Sequence, residues 1–462
     1  MSALSRILGI AGFLLLVGVY ACDVGHGFVK DDFNWILTSR VARTDDLQRL
    51  VGAATGFFRP LVSATFAIDH TLFGLHPRGY GLTNLGLLLA CVGLLTLVLR
   101  AFELEGRIAV AAALLWALNF HGINMAVLWI SGRTALLVTL FALAAALCWT
   151  RGSRGLAAIP AMAAMWSKEE GFVLPVIFTA WSLIDHRATV RRGPTVARET
   201  WPLWVAAAAS LLARASTEAF TPGSAPAAYQ YQYDLSTFAA NALAYLDRTS
   251  TTAVLALLVL WLVCGRQPRP GVGVTAGPDE AIRFRQHLYK GAIWAVLALA
   301  PTILLPVRSS LYAVLPSVGV LLMVACVADR VAARASPSSL SRALVILLVI
   351  FLALAPVYRA RNRRHVMEAV LSSAILGQMP AIVASHPDGG LVVIEDVRDA
   401  RPTAEQAFGP LIDRAAQLVS GGTLRLWINP PPGELAGVEP PPDVATPIAI
   451  LEVSGGKVRR VK

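Results

Sequence analysis

The chain has 462 residues, 56% of them hydrophobic and only 15% charged, with a mean hydropathy of +0.60. That balance excludes a soluble globular domain and indicates a polytopic membrane protein. The formal net charge of +11 would suit nucleic acid, but the arginines lie mostly in short loops between apolar runs, so the partner to expect is membrane lipid and not nucleic acid.

The first apolar run, residues 4–22, is long for the core of a signal peptide, and Tyr20-Ala21-Cys22 is a poor cleavage site, so the run reads as a membrane span. A loop follows over residues 23–81, a length that usually signals function. Near its start lies Phe28-Val29-Lys30-Asp31-Asp32-Phe33-Asn34-Trp35. Two adjacent carboxylates beside a bilayer repel each other, and each is costly without water or a partner. The plain alternative is a solvated loop start; the functional reading is a carboxylate held at the membrane surface as a general base. Further on, Phe66, Ile68, Leu72 and Phe73 suggest a helix lying in the interface over residues 61–75.

Further apolar runs occupy residues 82–100, 107–121, 133–149, 156–167, 170–184, 201–215, 250–264, 291–306, 310–327 and 343–357. With the first they make about eleven spans, several shorter than the ~20 residues that cross the hydrocarbon core. Such short runs predict helices that break or re-enter around a cavity. Alternate loops differ in charge. Arg100, Arg107, Arg151, Arg154, Arg187, Arg191, Arg192, Arg198, Arg266, Arg269, Arg283, Arg285, Lys290, Arg330, Arg334 and Arg342 fall on one side, against Arg133, Lys168, Arg248 and Arg308 on the other. By the positive-inside rule the first set is cytoplasmic and the loop holding Asp31 and Asp32 faces outward. The basic run at 359–364 opposes this reading but weighs less than the summed bias.

The tail changes character. Residues 365–383 and 403–419 read as helices, while 391–395, 423–429 and 447–453 read as strands, with a proline-rich loop over 430–442. The expected organisation is an all-α polytopic membrane domain over 1–358 and a small extracytoplasmic α/β domain over 359–462. The tail has no catalytic signature and is expected to dock on the outer loops or to bind a partner. Cys22, Cys91, Cys148, Cys264 and Cys326 lie in or beside apolar runs with no CxxC pair, which suits buried thiols. No P-loop, GxGxxG, GxSxG or HExxH motif is present, against nucleotide-driven transport or dehydrogenase chemistry.

Polar residues collect on the outward side: Arg59 in the first loop, then His76, Tyr80 and Asn84, then His121 and Trp129 leading to Arg133, then Lys168 and Glu169, then Arg308 and Tyr312. Ionisable residues at span ends are functional candidates, although each alone is equally an end residue reaching for the interface. Together they suit attack by a hydroxyl on a sugar carried by a lipid phosphate. A carboxylate takes the proton, while cations, with or without a divalent metal, stabilise the departing phosphate.

These motifs resemble a known group. Asp31-Asp32 after the first span resembles the first-loop acidic motif of the GT-C glycosyltransferases. Phe58-Arg59-Pro60-Leu61, the stretch from Gly74 through His76 and Tyr80 to Asn84, Trp129-Ile130-Ser131-Gly132-Arg133, Lys168-Glu169 and the stretch from Tyr312 to Gly319 resemble the membrane half of the TPR-bearing transmembrane O-mannosyltransferases and their bacterial relatives. The resemblance implies a GT-C fold of about eleven spans in the bacterial inner membrane. It also implies a polyprenyl-phosphate sugar as donor and inverting transfer to a protein or envelope-glycan hydroxyl on the periplasmic side. By position, Asp31 and Asp32 match the acidic motif and are the catalytic candidates, Asp31 ahead of Asp32 as base, with Asp32 a candidate metal ligand for Mn²⁺ or Mg²⁺. Arg59, Arg133, Lys168 and Arg308 are candidates for the donor phosphate. His76, Tyr80, Asn84, His121, Trp129, Glu169 and Tyr312 are candidates for the substrate pocket. Where relatives commonly carry histidine or acidic residues, this chain has Gly81, Leu88, Met125 and Ala135, and its tail shows no TPR pattern. Competing readings are a lipid-linked glycan ligase or polymerase, a flippase or transporter with polar residues on both membrane sides, and a scaffold presenting the tail.

The charge asymmetry yields a topology test. A reporter fused near Gly193 should read as cytoplasmic, and reporters fused near Ala225 or after Lys462 as periplasmic. A cytoplasmic signal after Lys462 would change the span count by one.

Overall fold

A computed structural model describes residues 3–41, 50–52, 55–187, 192–221, 223–265, 278–397, 401–431 and 441–462. Arg191, Arg266, Arg269 and most of the expected proline-rich loop lie outside them.

Each apolar run of the sequence contains a helix. In chain order the larger elements begin with α1 (Ala3–Tyr20), α2 (Asp31–Thr38), α3 (Pro60–Phe73), α4 (Pro77–Ala101) and α5 (Gly106–Ala117). Next come α6 (Asn124–Leu128), α7 (Arg133–Thr150), α8 (Ala158–Met165), α9 (Leu174–Asp185) and α10 (Arg192–Ala215). The membrane part ends with α11 (Leu235–Cys264), α12 (Pro278–Leu299), α13 (Val314–Arg334) and α14 (Pro337–Ala353). Pro77–Ala101, Ile130–Thr150, Leu235–Cys264 and Ser310–Arg334 are long and apolar enough to cross a bilayer, while Arg6–Tyr20, Gly106–Ala117 and Pro337–Ala353 are shorter apolar helices. With 8 and 12 residues, α8 and α9 fall below the length of a crossing. They are separated by a 3-10 turn over Glu169–Val173.

The bundle core is a continuous apolar cluster, with Leu88, Leu136, Phe178, Trp181 and Trp294 among its buried members. At one end of the bundle, polar contacts tie the arginine-rich loops together: Glu103 to Arg283 at 3.4 Å, Lys290 to Asp185 at 2.6 Å, and His186 to Glu199 at 2.9 Å. The helix expected over residues 61–75 is α3. It exposes Ile68 and Leu72, as an interfacial helix should, but Phe66 points the other way and is fully buried.

The tail begins with α15 (Ala355–Leu376), which straddles the expected boundary at 358, and continues through α16 (Met379–Ser385) and β1 (Gly390–Val397) to α17 (Ala404–Phe408). It ends with α18 (Ile412–Ser420), β2 (Leu424–Asn429), β3 (Ala449–Ser454) and β4 (Lys457–Arg460). The expected helix over 403–419 is thus two helices, and β4 is an addition to the expected strands. The strand order is β2-β1-β3-β4. Here β1 pairs in parallel with both β2 and β3, and β4 runs antiparallel to β3. Parallel neighbours need a crossover, which α17 and α18 supply between β1 and β2.

The span from Ala355 to Ser385 has the length and composition of a membrane helix. Its apolar residues Leu371, Ile375, Met379 and Ile382 are nevertheless buried in the same cluster as Val392, Ile394 and Leu426 of the sheet. We therefore assign it to the tail. That second cluster also holds Phe28, Phe33, Trp35 and Ile36. Phe33 stacks on Phe408 at 5.6 Å, and Trp35 stacks on Phe66 at 6.0 Å. The tail is thereby built onto the first loop, and the two share one core.

Candidate functional site

The stretch of the first loop that carries the two carboxylates is short and heavily constrained. Asp31 and Asp32 occupy the first turn of α2, where negative charge complements the helix dipole. Lys30 precedes them with φ 50° and ψ −123°. That backbone region favours glycine, and holding another residue there costs about 1–3 kcal/mol. Asp32 turns inward and is completely buried. Its Oδ2 accepts from Val29 N at 2.9 Å, and its Oδ1 accepts from Ser131 N at 2.7 Å and also from the Ser131 hydroxyl. Asp31, half-buried, lies instead on the wall of a cavity of about 750 Å³.

Ser131 is presented by a break in the bundle. After α6 the chain makes a 3-10 turn over Ile130–Gly132 and enters α7 at Arg133. Gly132 permits the turn, since a Cβ there would lie 2.7 Å from Met125 O and 2.8 Å from Ala126 Cα. Asn84 fastens the break from α4, its Nδ2 donating to Trp129 O at 3.0 Å and to Ile130 O at 3.1 Å. Arg133 Nε donates to Asn84 Oδ1 at 3.1 Å, and Arg133 Nη2 meets Asp69 Oδ2 at 2.6 Å. Arg133 is fully buried, with its guanidinium over the Phe66 ring at 4.3 Å, and Asp69 is 2% exposed.

The structure separates the candidates into two groups. Asp31, Arg59, His121, Trp129, Lys168, Arg308 and Tyr312 line the cavity. The others lie off it. Arg133, expected at the donor phosphate, does not line the cavity and pairs with the buried Asp69. Asn84 belongs to the same network. Tyr80 is buried and donates to Gly74 O at 2.8 Å. His76 is exposed where it precedes α4. Asp32 has both carboxylate oxygens engaged by protein donors, so its geometry does not suit the metal ligand that the sequence allowed. Among the described residues no group of three or more His, Cys, Asp or Glu side chains is arranged to hold a metal ion.

Lys168 and Glu169 do not form the mutual pair that their adjacency suggests. Lys168 Nζ meets Glu170 Oε1 at 2.6 Å, and Glu169 receives Arg59 through Nη2 at 2.5 Å and Nε at 3.1 Å. Arg214 adds a contact to Glu169 at 3.4 Å. The 3-10 turn that starts at Glu169 sends the neighbouring carboxylates in different directions. Lys168 Nζ also stands 4.7 Å from the centre of the Tyr312 ring, and Arg59 stands 4.2 Å from that of Phe57. Each pair holds its cation at the cavity wall.

Other wall residues come from segments that sequence reasoning set aside. Arg248 reads in the sequence as a topology charge, and Arg361, Arg364, His365 and Glu368 come from α15. The basic run at 359–364 carried a usable signal, since it follows the last apolar run on the side where the charge bias expects few arginines. His121 is held between Asp247 Oδ2 at 3.4 Å and Arg361 Nη2 at 3.4 Å. The wall carries Lys30, Arg59, Lys168, Arg248, Arg308, Arg361 and Arg364 against Asp31 and Glu368. Such a cavity favours an anionic ligand and places a carboxylate beside it.

Two measurements check these placements. Removing Arg133 leaves the Asp69 carboxylate buried without its cation, so Arg133→Ala should destabilise the solubilised protein by about 3–5 kcal/mol, read as a lowered Tm. Burial raises Asp32 from 3.8 to about 7, against the opposing hydrogen bonds from Ser131 and Val29. The folded state therefore holds this proton more tightly than the unfolded state does, and the resulting stability is fully present below about pH 4 and is lost as pH rises towards 7. Asp32→Asn should remove that share of the fall in Tm between pH 5 and 7. An unchanged slope would show that Asp32 does not titrate there.

No protein-family model matches the chain, and no curated protein matches it. Among solved structures, the crystal structure of ArnT from Cupriavidus metallidurans bound to undecaprenyl phosphate is similar, with a TM-score of 0.48 and 14% identity, covering 92% of this chain and 86% of that one.

Proposed function

We propose that the chain is a membrane glycosyltransferase of the GT-C type, moving a sugar from a polyprenyl-phosphate donor to the hydroxyl of a protein or envelope-glycan acceptor on the periplasmic face. The observation that carries this reading is the cation-rich cavity with Asp31 on its wall, beside Arg59, Lys168 and Arg308. Asp31 takes the acceptor proton across a hydrogen bond of about 2.6–3.2 Å. The acceptor oxygen bonds to the anomeric carbon as the bond from that carbon to the phosphate oxygen breaks, a single displacement with inversion. The departing polyprenyl phosphate leaves with its charge met by Arg308, Lys168 and Arg59. Glu169 and Glu170 keep two of those cations in place between turnovers, and the lipid tail lies between spans.

The flippase reading has less support. Deeper in the bundle the core is apolar, with Leu95, Leu99, Leu143, Trp181 and Trp294 lining a small pocket.

The test is transfer of a radiolabelled sugar from polyprenyl-phosphate donors in membranes. Asp31→Asn should abolish transfer while the protein remains folded, and Arg308→Ala should weaken donor use about ten- to a hundredfold, the loss of one charge-assisted contact worth roughly 1.5–3 kcal/mol. Full activity of Asp31→Asn would remove the first loop from the chemistry and this reading with it.

A further inference from the structure

The tail does more than cover the outer surface: it takes hold of the residue next to Asp31. Lys30 N donates to Ala407 O at 3.0 Å, and Lys30 Nζ reaches Glu368 Oε2 on α15 at 3.3 Å, although the two residues are 338 positions apart. Glu368 is buried. Just upstream, Ser373 Oγ donates to His26 O at 2.9 Å. Gly27 lies so close to α15 that a Cβ would come within 2.1 Å of Ala369 O. On the other side of Asp31, Asp32 is fastened to Ser131 of the bundle. Asp31 is therefore carried between two holds, one from each part of the molecule.

The residue at position 30 is informative. A glycine would adopt φ 50° and ψ −123° without steric opposition. A lysine keeps the strain, and what it adds is an ammonium group on Glu368. That ammonium does not cap α2, because Lys30 makes no side-chain cap hydrogen bond. We propose that Lys30 and Glu368 are positioning residues that aim the Asp31 carboxylate into the cavity, so that the tail completes the transfer site. The proposal rests on the glycosyltransferase reading above.

The experiment compares full-length wild type, Lys30→Gly, Glu368→Gln and the double variant in membranes, with kcat, donor KM and Tm measured for each. Each single variant should lower kcat by about ten- to a hundredfold, the scale expected for a misplaced catalytic group, with donor KM within about twofold. The double variant should lose no more than either single one, as two residues acting through one contact must. Lys30→Gly relieves the strained backbone and should fold, so it decides the matter if Glu368→Gln does not fold. Wild-type kcat in Lys30→Gly, or in a folded Glu368→Gln, overturns the proposal provided Asp31→Asn is inactive. Fully additive losses, or losses seen only in KM, overturn it too. If wild type transfers no sugar from any polyprenyl-phosphate donor, the functional reading fails first and takes this inference with it.

Discussion

The arrangement depends on one buried carboxylate. Asp32 accepts hydrogen bonds from Val29 on its own strand of loop and from Ser131 at the break before α7. They tie the first loop to the bundle next to Asp31, while Lys30 ties it to the tail on the other side. The cost of burying that carboxyl is visible in its raised pKa, and the donors offset part of it. The same logic holds beside it in sequence, where Arg133 and Asp69 are taken out of water together and Asn84 satisfies the turn that carries Ser131. Paired polar groups set into the apolar bundle thus hold the segment that carries Ser131, a residue of the cavity wall.

On the cavity wall, Arg59 and Lys168 are tethered but not consumed. Arg59 and Lys168 each have a glutamate behind them, in a turn too short to let Glu169 and Glu170 point the same way. A charge held by a pre-positioned partner needs little rearrangement when an anion arrives, which is the property an electrostatic site requires. The aromatic rings of Phe57 and Tyr312 beside these cations remove water from one side of each and keep the field directed into the cavity.

Much of the architecture is legible in the sequence because hydropathy and turn chemistry act locally. Each apolar run contains a helix, and the strands at 391–395, 423–429 and 447–453 fall close to β1, β2 and β3. The site is legible only in part. Asp31 and Asp32 are conspicuous as a pair, but adjacency cannot say which one turns inward; that is decided by Ser131, 99 positions away. Arg133 looks like a phosphate ligand until Asp69, an ordinary aspartate within an apolar stretch, is found against it. Glu368 and His365 could not be assigned from the sequence, because their relevance arises only when α15 folds back beside the first loop.

That fold-back has a consequence for how the protein is made. The cavity wall draws on residues near position 30 and on residues near position 365, which leave the ribosome at well-separated times. Every helix of the membrane bundle can be inserted while the wall is still missing one side. Chains truncated before α15 would leave a bundle in the bilayer with an unfinished pocket and with Phe33 lacking its stacking partner Phe408. Synthesis of α15 thus sets the earliest moment at which the pocket can exist.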